Sequence, residues 1–82
     1  MFKLYDVVKL KKDRLDLGIK KNFTGTIVDI CNDGKAFTVE FFDENDETID
    51  KSLYVYFEES DLILVEPFND FIPANLELAS GK

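Results

Sequence analysis

The 82-residue chain has no histidine, no tryptophan and a single cysteine, Cys31. Histidine is the one side chain whose ordinary pKa lies near neutrality, so imidazole acid–base chemistry and imidazole metal ligation are excluded. One cysteine excludes an internal disulfide and a thiolate zinc site. The four glycines, Gly18, Gly25, Gly34 and Gly81, are scattered, so no glycine-rich loop is present to cradle phosphate. No apolar run approaches the ~20 residues of a membrane-spanning helix. The opening stretch, MFKLYDVVKLKKDR, interleaves charge with apolar residues and has no signal-peptide core. These absences make a cytoplasmic location the expectation. No enzyme activity is expected either. Carboxylate-pair catalysis needs a recessed, water-poor pocket, and a small barrel filled by its own Phe and Val side chains rarely holds one.

What is present suffices for one core. Hydrophobic residues make up 45% of the chain and aromatics 13%, too much for a disordered segment and enough for a single small domain. Cys31 sits within a strand pattern, where a buried and inert thiol is the expectation. The net charge of −7 is unevenly distributed. Residues 1–21 carry seven Lys or Arg against three Asp, a net +4, while the other 61 residues carry three Lys against fourteen acids, a net −11. An acidic body of this kind repels phosphate backbones and favours basic partners.

Residues 4–10, LYDVVKL, read as a first strand with Val8 and Leu10 inward. Residues 11–23 break the alternation and form a long basic loop, tacked to the core by Leu15, Leu17 and Ile19. A single helical turn fits there. In the strand TGTIVDIC, parity puts Thr26, Val28 and Ile30 on one face and Ile27 and Asp29 on the other, and Val28 and Ile30 are assigned to the core. Asn32-Asp33-Gly34 supplies residues that tolerate positive φ in a hairpin turn, and Phe37, Val39 and Phe41 line the inner face of the returning strand. A second, acidic turn spans Asp43–Glu47. A fourth strand is predicted over 48–57, with Leu53, Val55 and Phe57 on one parity and Tyr54 and Tyr56 on the other. A tight turn at Glu58–Asp61 then leads to a final strand, Leu62–Val65. Five short strands separated by turns describe a small all-β barrel or sandwich, and closure would remove exposed strand edges.

The expected organisation is a barrel over 1–66 and a non-barrel tail over 67–82. Pro67 and Pro73 bar a continuous helix or central strand across the tail. Phe68, Phe71 and Ile72 are each worth roughly 1.5–3 kcal/mol when buried, so part of the tail is expected to pack, with the final ASGK mobile.

The arrangement YDVVKLKKD, LGIKKNFTGTIVDI, DGKAFTVEFFDENDET and LYVYFEESDLILV resembles a bacterial family of small uncharacterised proteins with an SH3-like barrel. In that family a basic LG[LI]KKG loop leads into GTIV, then a Gly turn, a VEF strand and a closing DL segment. Its most specific portion here is Leu17-Gly18-Ile19-Lys20-Lys21 followed by Gly25-Thr26-Ile27-Val28. More loosely, the chain is similar to KOW-type barrels of translation and transcription factors. The resemblance spans about residues 4–65 and implies a five-stranded SH3-like barrel, but no reaction and no particular partner. Asn22 stands where the pattern has Gly; Asn also accepts the left-handed conformation, so the turn is expected to survive.

Two charged segments are the candidate sites. The acidic residues Asp43, Glu44, Asp46 and Glu47, with Glu58 and Glu59 on the following turn, form an acidic face for a basic protein partner. Tyr54 and Tyr56, on the outward parity, add rigid aromatic contacts of the kind found at binding hot spots. The same tyrosines can equally pack against the loop or tail with only their hydroxyls wet. Counted as a calcium loop from Asp43, the sixth and twelfth places hold Thr48 and Tyr54 rather than Gly and an acid. No metal and no cofactor are therefore expected. The alternative site is the basic loop, where Lys11, Lys12, Arg14, Lys20 and Lys21 form a local positive patch of the kind that contacts RNA phosphates. The expected function is that of a non-enzymatic protein-binding module, in its narrower form an immunity- or antitoxin-like inhibitor of a basic partner. The alternative is a KOW-like accessory that touches RNA or the ribosome through residues 9–21. The opposite charges of the two segments also permit self-association.

Overall fold

Apolar alternation in the sequence becomes five antiparallel strands: β1 (Val7–Leu10), β2 (Thr24–Cys31), β3 (Ala36–Phe41), β4 (Phe57–Glu58) and β5 (Leu62–Glu66). The computed structural model describes residues 2–69; the expectations for Phe71, Ile72, Pro73 and the final ASGK fall outside that range. The strands form one sheet in the order β4-β3-β2-β1-β5, so the chain is all-β. β4 and β5 end that order, yet only the 3-10 turn Glu59–Asp61 separates them. The Lys11 N–H donates to the Asp61 carbonyl at 3.0 Å, tying the end of β1 to this turn. The sheet thus curls into a barrel-like form around one core.

That core is built from Val8, Leu10, Ile27, Phe37, Val39, Phe41, Phe57 and Leu62, joined by Leu17, Ile19 and Phe23 from the basic loop. Phe41 and Phe57 meet edge to face with ring centroids 5.4 Å apart, a favoured aromatic geometry. Gly25 is required by contact: a Cβ there would lie 2.7 Å from Val39 Cγ1 and 2.8 Å from Phe41 Cδ1. The hairpin turn is as expected, with positive φ at Asn32, Asp33 and Gly34.

The inward faces of β1 and β3 agree with the alternation; that of β2 does not. A bulge between Ile27 and Asp29 puts an extra residue into the strand and reverses its parity. Ile27 is fully buried, Val28 is exposed, and Ile30 is partly buried against the core. Val28 is therefore not a core residue. Leu15 is also corrected: it is 75% exposed at the loop tip, while Leu17 and Ile19 are buried as expected. β1 begins only at Val7, because Tyr5 adopts a φ of 70° that no strand allows. Asn22 keeps a negative φ; Phe23 N–H reaches the Lys20 carbonyl at 2.9 Å and closes that turn without the left-handed conformation.

The largest correction concerns the predicted fourth strand. At the start of the predicted strand, Thr48 makes an isolated bridge to Phe42 and the Ile49 N–H reaches the Phe41 carbonyl at 2.8 Å. Residues 50–54 then form a 3-10 segment, and strand pairing with β3 resumes at Phe57–Glu58. Ser52 accounts for the difference. Its fully buried hydroxyl donates to the Ile49 carbonyl at 2.8 Å and accepts from the Phe41 N–H at 3.1 Å. A side chain thus replaces a ladder partner at the edge of β3 and leaves the backbone free to coil. Leu53, assigned inward, is exposed as a result.

Of the tail, residues 67–69 are described. The Phe68 N–H donates to Asp6 Oδ1 at 2.8 Å, and its ring meets Tyr5 edge to face at 5.4 Å. Asp6 is itself buried and takes the Lys3 N–H on Oδ2 at 2.8 Å, so one carboxylate joins the start of the chain to the exit from β5.

Candidate functional site

The acidic candidates do not form one patch. The turn Asp43–Glu47 leaves the end of β3, whereas Glu58 pairs with Ala36 at its beginning. Six strand residues separate the two groups, about 20 Å at ~3.3 Å per residue. The chain between them runs along the outside of β3. Ser52 is bonded to Phe41 near the acidic turn, and Tyr56 comes beside Cys31 at the far end. The result is a strip, with Leu53, Tyr54 and Tyr56 between two acidic ends. Tyr54 is 85% and Tyr56 66% exposed, so neither packs beneath a described loop.

The acids divide further by what each one holds. Asp43 Oδ1 accepts the N–H groups of Asn45 at 2.8 Å and Glu47 at 3.0 Å. With Asp46 at a φ of 62°, this closes the turn. Glu58 caps the 3-10 turn: its side chain accepts from the backbone three residues on, and Asp61 Oδ2 accepts the Glu58 N–H at 2.9 Å. Asp43 and Glu58 thus have structural duties. Glu44, Asp46 and Glu47 project into solvent, and Glu59 is exposed.

Behind the strip, the Cys31 thiol is only partly buried, which corrects the buried assignment. Desolvation pushes its pKa up, the Asp29 carboxylate 3.6 Å from Sγ adds to this, and the Tyr56 hydroxyl acts in the opposite sense. A thiol held in its neutral form is a poor nucleophile.

The basic loop is folded rather than open. Arg14 and Ile19 form an antiparallel bridge, with N–H···O distances of 2.7 and 3.0 Å, around the 3-10 turn Leu15–Leu17. The Arg14 guanidinium lies 3.1 Å from both carboxylate oxygens of Asp16 and 5.9 Å above the Phe57 ring. Hydrogen bonding to this guanidinium lowers the Asp16 pKa, and the same bond raises that of Arg14. Arg14 is therefore committed to the loop. At the base, Asp13 Oδ1 accepts the Lys21 N–H at 2.7 Å, which brings Lys11 and Lys12 beside Lys20 and Lys21. All four lysines are exposed. A cleft of about 300 Å³ lies between Leu10–Arg14 and Ser60–Asp61.

Sequence reading missed three surface features. Leu53 extends the tyrosine strip, and the strand misassignment over 48–57 hid it. Val28 is presented by the bulge, which leaves no mark in the alternation. On β5, Ile63, Leu64 and Val65 are all substantially exposed; their unbroken apolar run was the available signal, because a one-sided strand would alternate. Among the described residues, no group of three or more His, Cys, Asp or Glu is placed to hold a metal ion.

Fold and surfaces together describe a small all-β domain with exposed charged and aromatic side chains. Residues 4–53, more than half of the chain, match the family described as Domain of unknown function (DUF4926), and the chain belongs to it. No curated protein and no solved structure matches the chain. The matched stretch includes β1, the basic loop, the β2–β3 hairpin and the acidic turn.

Proposed function

We propose that this protein is a non-enzymatic binding module that docks a basic protein partner on the strip along β3 and β4. The observation that carries the reading is the pair of exposed tyrosines, Tyr54 and Tyr56, between the free carboxylates of the acidic turn and the acids near Glu59. Tyrosine gives large, rigid contact area at low entropic cost, and carboxylates at both ends of the strip steer and select a basic surface. An immunity- or antitoxin-like inhibitor is the narrower form, supported by charge. The barrel is read as SH3-like, supported by the return of the last strand to pair with the first and by the resemblance of residues 4–65. A cytoplasmic location is supported by the single unpaired cysteine; among the described residues no helix is long and apolar enough to cross a membrane.

Affinity capture from the native host, with identification by mass spectrometry, tests the reading. Reversing Glu44, Asp46 and Glu47 to Lys, or truncating Tyr54 and Tyr56 to Ala, is expected to abolish capture of the partner. Capture that survives both sets of changes refutes it.

A second reading has its own observation, the four lysines gathered around Asp13. They supply the local positive patch for phosphate contacts in a KOW-like accessory of RNA or the ribosome. Against it, the core residues Phe23 and Phe57 near the loop are buried, so neither offers a base a stacking platform. Changing Lys11, Lys12, Lys20 and Lys21 to Glu would remove a salt-sensitive RNA mobility shift, and the absence of any shift at low salt would end this reading.

A further inference from the structure

We propose that the cleft between the basic loop and the Glu59–Asp61 turn captures the free C-terminal carboxylate of a peptide. The cleft measures about 300 Å³, with Leu10–Arg14 on one side and Ser60 and Asp61 on the other. Its walls are fixed before a ligand arrives. The Lys11 N–H joins them by donating to the Asp61 carbonyl at 3.0 Å. The Glu58–Asp61 capping box holds one wall, and the Arg14–Ile19 bridge holds the other. Such preorganisation lowers the entropic cost of binding.

The donors left over in the cleft call for an anion. Asp16 engages the Arg14 guanidinium through Nε and Nη2. Nη1 and the second Nη2 hydrogen remain, a fork that matches a carboxylate. The Phe57 ring, 5.9 Å from the guanidinium carbon, restrains the group from a second side. Lys11 and Lys12 are exposed and form no ion pair among the described residues. The two acids of the cleft are half engaged: Asp13 Oδ1 accepts the Lys21 N–H at 2.7 Å, and Asp61 Oδ2 accepts the Glu58 N–H at 2.9 Å. Each keeps its second oxygen for a donor.

Charge and size then select the occupant. Lys11, Lys12 and Arg14 against Asp13 and Asp61 give the lining a net charge of +1. One carboxylate balances it, whereas a phosphate monoester brings about −2 and a zwitterionic free amino acid brings none. A peptide end also carries N–H groups for the free oxygens of Asp13 and Asp61. By the rise and spacing of packed strands an extended residue fills roughly 160 Å³, so the cleft takes about two residues. That suits a chain end and not a folded surface. The alkyl stems of Lys11 and Lys12 offer contact to an apolar last side chain.

NMR titration of the full chain with an N-acetylated dipeptide ending in leucine tests the proposal. Saturable shifts are expected at the amides of residues 10–14 and 60–61, with a Kd on the order of 1 mM. The C-terminal amide of the same dipeptide, inorganic phosphate and free leucine are each expected to bind at least about tenfold more weakly. Added salt weakens binding of the acid. Arg14→Lys keeps the charge but loses the fork, and is expected to weaken binding about tenfold. Lys12→Gln alters an exposed side chain without a partner, so it leaves the fold intact and is expected to weaken binding about threefold. Absence of saturation by about 20 mM overturns the proposal. So does an amide, phosphate or free leucine that binds as well as the acid, or native affinity in both variants. Failure here leaves the tyrosine strip untouched, because the two surfaces share no residue.

Discussion

The basic loop, residues 11–23, and the acidic turn, residues 43–47, meet where the Phe42 N–H donates to the Thr24 carbonyl at 3.0 Å. They are held by opposite means. The loop is more than twice as long, yet it drives Leu17, Ile19 and Phe23 into the core. The turn places no side chain in the core and depends on polar bonds gathered by Asp43. Loop length is therefore a poor guide to order in this molecule; what matters is how many apolar anchors the segment carries. In both segments some carboxylates serve the backbone, Asp13 for Lys21 and Asp43 for Asn45 and Glu47.

The contrast breaks most visibly at Ile19. It is fully buried, and Ile19→Ala is expected to cost about 2–4 kcal/mol through lost transfer energy and the cavity left behind. Denaturant unfolding measures this, and exchange of the 11–23 amides should rise with it. A loss below about 1 kcal/mol would mean that the loop rests on the barrel without completing it. The matching change on the acidic side, Asp43→Ala, removes the acceptor for two exposed N–H groups and is expected to cost about 1 kcal/mol. Its effect should stay within residues 43–49. If Asp43→Ala destabilised the fold as much as Ile19→Ala, the polar and apolar modes of anchoring would not differ as described.

Much of this was legible from residue order because the physics is local. Alternation identified the inner faces of β1 and β3, and Asn32-Asp33-Gly34 identified the hairpin turn through its tolerance of positive φ. The basic loop's helical turn and its anchors Leu17 and Ile19 were also readable. What escaped depends on contacts between distant residues. The bulge at Val28 is a property of the β2–β3 pairing and not of TGTIVDIC alone. The coil over 50–54 rests on Ser52 bonding Phe41, eleven residues away, and no local pattern announces it. The candidate site fared similarly. The tyrosines' outward direction was correct, but the gap between the acidic turn and Glu58 is fixed by the Ala36–Glu58 register.

The smallest expected effect lies in the loop's own ion pair and follows from the same division of labour. The Arg14 fork holds the Asp16 carboxyl below the usual aspartate range. A carboxyl whose pKa is lower folded than unfolded stabilises the fold at pH values above its unfolded pKa. That contribution disappears as pH falls through the folded pKa. Strong acid, below the usual aspartate range, should therefore loosen the Leu15–Leu17 tip first, while Leu17 and Ile19 keep the loop seated. Exposed pairs of this kind contribute little to stability, so the readout is titration and not melting. By NMR, Asp16 should titrate at lower pH in the native chain than in Arg14→Gln, with the Ile19 amide protected in both. Equal midpoints would show that the fork exerts no hold on Asp16. Loss of Ile19 protection in Arg14→Gln would transfer the anchoring role from the apolar side chains to the guanidinium over Phe57.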